Sequence, residues 1–176
     1  MLRTTARLAA GWSRLLARAE MFVCKALIVV FTALLIVNVG LRYLFNAPLF
    51  YAEELAIYIL IWMAFLAISV TIHENVQVRM TLFSDRLTYT RRRTLFIVTE
   101  TVAALMLAAI LYHSVHWILS PFASFDMAVT LGWPKWPFFL IIPLFSAAAL
   151  CHVLAHLLRA IAEAAGVVPD PATEPS

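Results

Sequence analysis

From position 55 to 72 the chain runs eighteen residues without a charge, and three further stretches, 21–41, 94–119 and 136–158, are nearly as apolar. A helix crosses the hydrocarbon core of a bilayer with roughly 20 such residues. The pattern therefore predicts four membrane-spanning helices joined by short connections, an all-α four-transmembrane-helix bundle. Pro134 and Pro137 fall at the first turn of the fourth span, where a missing N–H costs nothing. Pro143 lies deeper and is expected to kink that helix.

Two other segments carry helical periodicity with a polar side. Arg3, Arg7, Arg14 and Arg18 share one face of residues 1–20, opposite Leu8, Trp12, Leu15 and Ala19. Val76, Met80, Phe83 and Leu87 form a similar stripe between the second and third spans, flanked by Arg79 and Arg86. Both read as amphipathic helices lying in the membrane interface, with membrane lipids as their partners. The expected organisation is an interfacial segment over 1–20, a membrane domain over 21–160 and a cytoplasmic tail over 161–176, disordered at its end.

Composition narrows the classes. Hydrophobic residues make up 64% of the 176 and charged residues 13%, and the mean hydropathy is +0.91. That leaves no room for a separate soluble enzyme domain, and nothing in the chain suggests a nucleic-acid partner. No metal spacing appears, and the two cysteines, Cys24 and Cys151, both fall near the same ends of their helices. Nine arginines lie in the N-terminal segment and the middle connection. Positive charge stays on the cytoplasmic side. Both termini and the middle connection are therefore expected inside, with Asn46 and Asp126 outside.

Polar groups within the spans each need a partner. Lys25 and Glu100 lie at similar depth in the first and third spans and are expected to form an intramembrane ion pair. Asn38 and Arg42, one turn apart, are expected to join Glu53 or Glu54 in a clasp between spans one and two. His113 with His116 and His152 with His156 raise a rival reading, a haem-b electron-transfer subunit. Topology counts against it, because the two pairs fall in opposite leaflets and only His73 stands near His152 and His156.

The stretch Asn38-Val-Gly-Leu-Arg42-Tyr-Leu-Phe-Asn46-Ala-Pro-Leu-Phe-Tyr-Ala-Glu53-Glu54-Leu resembles the small, DctQ-like membrane subunit of TRAP transporters, the tripartite ATP-independent periplasmic systems. That family shows an N…RY.FN.P…EEL pattern between its first two spans, continuing to a tryptophan and a small-residue turn, here Trp62 and Ala67. A second match runs through Leu131-Gly-Trp-Pro134-Lys-Trp136 to Pro143. The sequence departs from the pattern at Tyr51, at Ala67 and at Arg79, which stands where the family has an acid. The resemblance implies an accessory membrane subunit without cofactor or catalytic activity. It would work beside a large membrane subunit and a periplasmic substrate-binding protein in sodium-driven uptake (symport) of organic acids across the bacterial inner membrane. Asn38, Arg42, Asn46, Glu53, Glu54, Tyr58, Trp62, Ala67, Pro134, Trp136 and Pro143 are then candidates for structural or partner-facing roles. The small-residue stripe Ala52, Ala56, Met63 and Ala67 marks span two as the expected contact with the large subunit.

Overall fold

A computed structural model of the chain describes residues 2–74 and 89–164. The stripe at 76–87 and the tail beyond 164 lie outside the described residues. Within the described residues the helices are, in order, α1 (Leu2–Phe45), α2 (Ala52–His73), α3 (Tyr89–Ile118), α4 (Phe122–Phe125), α5 (Trp136–Phe139) and α6 (Ile141–Ala164). Four stretches among them are long and apolar enough to cross a membrane: Leu8–Phe45, Ala52–His73, Thr94–Ile118 and Trp136–Ala162. The all-α bundle of four transmembrane helices is thus the architecture observed.

The N-terminal segment is continuous with the first span. Its 44 residues make about 66 Å of helix, against about 30 Å of hydrocarbon. No proline interrupts it, and Gly11 has open space around it. Leu8, Trp12 and Leu15 are exposed, whereas Ser13, Ala17 and Glu20 are buried. The inward stripe of this segment is therefore small and polar, and the large apolar side chains face away from the bundle.

α6 is the central element, packing against α1, α2 and α3. α1 also packs along α2, whereas α3 leans chiefly on α6. The core gathers Ile72 of α2, Leu107 of α3, and Phe145, Ala149 and Val153 of α6. Small residues let these helices approach closely, as packing within lipid requires: Ala149 and Ser146 of α6 and Ala52 of α2 are completely buried. Most other apolar side chains face outward, and along the apolar stretch of α3 Leu107 is the buried one among the described residues.

The fourth span is interrupted at Leu140, between α5 and α6. Pro143 explains the break, since it offers no N–H to the carbonyl of Phe139 and its ring crowds that carbonyl. The kink expected at the proline thus falls three residues before it.

Candidate functional site: two polar clamps at the ends of the bundle

The α1–α2 hairpin builds the first clamp. α1 ends because Asn46 takes a left-handed backbone with φ 51°, a conformation that asparagine tolerates better than most residues. The Ala47 N–H then donates back to the Leu41 carbonyl at 3.1 Å. Pro48 follows, and the buried Asn38 side chain accepts the Leu49 N–H at 2.9 Å. Arg42 donates to Glu53 at 2.9 Å, closing the hairpin. The clasp foreseen between spans one and two therefore uses Glu53. It is wet, with the two side chains 51% and 70% exposed.

Glu54 does something else. One carboxylate accepts the backbone N–H groups of Val129 (3.1 Å), Thr130 (2.7 Å) and Leu131 (3.3 Å). It also accepts the Thr130 hydroxyl and, at 3.3 Å, the Tyr58 hydroxyl. It thereby ties α2 to the connection between α3 and α6. That connection is a tight corner: Ala128 N–H donates to Trp133 at 2.7 Å and Gly132 N–H to Ala128 at 2.9 Å. Gly132 carries φ +66°. Lys135 bonds Asp126 at 2.8 Å, and this contact holds the lysine pKa above its ordinary value.

Tyr58 and Trp62 complete the clamp. The Tyr58 ring stacks on Phe138 at 4.2 Å between centroids. Trp62 Nε1 donates to the Phe138 carbonyl at 2.7 Å, a group placed in the last turn before the break at Leu140. Pro134 is partly buried, while Trp136 and, on α2, Ala67 are exposed.

The second clamp lies at the other end of the bundle; depth in the sequence sets His73 near His152, but no motif singles out Ser13, Glu20 or Ser69. Ser13 of α1 sits between two histidines, its Oγ 2.7 Å from His73 Nδ1 and 2.7 Å from His152 Nδ1. His152 Nε2 lies 3.3 Å from Glu20 Oε2. The Ser69 hydroxyl donates to the other oxygen of Glu20 at 2.7 Å. His152 and Ser69 are fully buried, and Ser13 and Glu20 nearly so.

One proton arrangement satisfies every member of this network when Glu20 is a carboxylate. His152 donates through Nε2–H to Glu20, which leaves its Nδ1 bare. The Ser13 hydroxyl donates to that nitrogen and accepts from His73 Nδ1–H. His156 Nε2 donates to the His73 carbonyl at 3.2 Å. No buried side-chain nitrogen or oxygen is left without a partner among the described residues.

One expectation is corrected. Lys25 and Glu100 form no ion pair, because α1 packs on α2 and α6 while α3 lies against α6. Ion pairs among the described residues include Arg42–Glu53 and Lys135–Asp126. Polar groups converge instead where Ser13, Glu20, Ser69, His73 and His152 meet between α1, α2 and α6. The histidines themselves do not face one another across a gap. His113 and His116 are exposed beside Tyr112 on α3. The rings of His73 and His152, 4.9 Å apart, converge on a single hydroxyl.

Comparison with known proteins places this arrangement. A protein of Haemophilus influenzae named as a TRAP transporter small permease protein is 33% identical over 70 residues, which cover 40% of this chain and 44% of that protein. The family described as "Tripartite ATP-independent periplasmic transporters, DctQ component" matches residues 31–163. That range takes in both ends of the hairpin clasp, the Gly132 corner and the break before Pro143, and over those residues this four-span membrane protein belongs to the DctQ family of TRAP transporter subunits.

Proposed function

We propose that the chain is the small membrane subunit of a sodium-driven TRAP transporter for organic acids, and that it braces the large transport subunit rather than carrying substrate. The supporting observation is where its polar side chains go. Asn38, Arg42, Glu53, Glu54 and Trp62 at one end, and Ser13, Glu20, Ser69, His73 and His152 at the other, all bind their own chain. Groups used in this way stiffen a scaffold, whereas a substrate site needs polar groups turned toward a cavity. The subunit sits in the bacterial inner membrane with both termini cytoplasmic, and a periplasmic binding protein delivers the acid to the complex.

Span two contributes to the contact with the large subunit. Its outward face carries Ile57, Leu60 and Ile68, with Ala67 between them. Ala52 and Ala56 are buried within this chain, so the free part of the small-residue stripe is its Ala67 end. Ala67→Trp is expected to loosen co-purification of the large subunit and lower proteoliposome uptake while the chain still inserts. Binding of the acid by the soluble receptor stays unchanged. Ala56→Trp should instead damage the chain's own packing. Co-purification and uptake both undisturbed by Ala67→Trp would remove span two from the contact, and uptake by the large subunit without this chain would end the bracing role.

A further inference from the structure

At the end of the bundle that holds Ser13, a groove of about 400 Å³ opens between α1 and α2. Arg14, Arg18 and Lys25 of α1 line it, with His73 and Glu74 from α2. At about 100° per residue the three cations fall within roughly 40° of arc, one above another. Phe22 and Val70 supply apolar surface in the same groove. We propose that this groove binds one anionic phospholipid, its phosphate held by Arg14, Arg18 and Lys25 and the start of an acyl chain lying along Phe22.

The charge balance favours an anion. Three cations face the single Glu74 carboxylate, because the other nearby acid, Glu20, is turned inward onto Ser69 and His152. Arg18 and Lys25 make no ion pair among the described residues, and Arg14 donates only to its own helix, at the Ala10 carbonyl. The level is right for a headgroup, since the uncharged run of α1 begins just beyond Lys25. A lysine placed there reaches back along its own stem to the polar boundary. The ring of Phe22, 74% exposed, lines the same groove as these charges and offers apolar surface there. A phospholipid offers both the phosphate and the chain. A free phosphate offers one of them, and an acidic protein segment would leave Phe22 uncovered.

The groove also touches the buried relay. His73 lines it and passes its Nδ1 contact to Ser13, so a headgroup seated there would close the polar end of the α1–α2 interface.

The test is native mass spectrometry of the detergent-purified full chain with phosphatidylglycerol or phosphatidylcholine added. One phosphatidylglycerol should be retained at concentrations where phosphatidylcholine is not. Each basic residue near an anionic lipid is worth about five-fold in affinity, so Arg18→Gln combined with Lys25→Gln should lower retention about thirty-fold. Arg91→Gln, on α3 away from the groove, should not. Equal retention of the two lipids, or a double variant that holds phosphatidylglycerol as well as the wild type, overturns the proposal. Displacement of the lipid by inorganic phosphate at matching concentration would make this a free-anion site and overturn it too. A double variant that keeps the lipid but loses a co-purified protein would make the groove a protein contact, and the proposal would fall.

Discussion

Ser13→Ala removes one hydroxyl and two hydrogen bonds of 2.7 Å. The orphaned Nδ1 of His152 lies in a ring with no exposure, and leaving such a group unpaired costs about 1–3 kcal/mol. His73 is half-buried and lines an open groove, so water replaces most of what it loses. Alanine returns roughly 0.5 kcal/mol as the better helix former. The balance is a loss of about 2 kcal/mol. Reversible unfolding of the purified chain in mixed micelles reads it directly. Ser124→Ala is the control, because that hydroxyl only bonds the carbonyl of Pro121 in its own turn, at 2.7 Å, and it should change stability by less than about 0.5 kcal/mol. A Ser13→Ala protein as stable as the control would refute the reasoning, for it would mean that the two histidines find other partners and that the relay does not hold α1 in place.

Arg42→Glu should cost less than about 1 kcal/mol, since both partners are well exposed, and Glu53→Arg in the same chain should restore what is lost. A cost of several kcal/mol in the same unfolding assay would show that the pair is not wet. Asn46→Val should destabilise by about 1–2 kcal/mol, because a β-branched residue resists φ 51°, while Asn46→Gly should hold within about 0.5 kcal/mol. Equal losses for the two would sink the backbone argument. Glu54→Gln should raise hydrogen exchange at the amides of Val129, Thr130 and Leu131, since an amide NH₂ presents hydrogens to N–H donors; unchanged protection there would deny Glu54 its role. Reporter fusions should give cytoplasmic signals at Met1 and Ser176 and an external one at Asp126, as the arginine distribution requires, and an internal signal at Asp126 would invert the topology.

The spans were readable because lipid imposes a length and an apolarity that sequence displays openly. The hairpin was nearly as readable, since Asn38, Arg42, Asn46 and Glu53 are close in sequence and each does a local task. Glu54 was not, because its partners at 129–131 are 75 or more positions away and are backbone amides, which carry no side-chain signature. The Ser13–Glu20 cluster was hidden for a related reason. Ser13 and Glu20 stand just before the apolar run and read as surface, and serines in a span pass for small packing residues. One signal was available: Ser13, Ala17 and Glu20 form a single stripe of small and polar positions at i, i+4 and i+7, on a helix whose large side chains all point elsewhere. Lys25 and Glu100 failed as a pair because equal depth does not make two helices neighbours.

α1 is held at two stations: near Ser13 by the histidines and near Asn38 by the returning hairpin. They are about 37 Å apart along the axis. In mechanical terms this is a beam on two supports, and a tilt of only about 5° at one would sweep the other through about 3 Å, enough to part a hydrogen bond. The long helix can therefore rock only if one clamp opens, and the play left to it belongs to the overhang before Ser13.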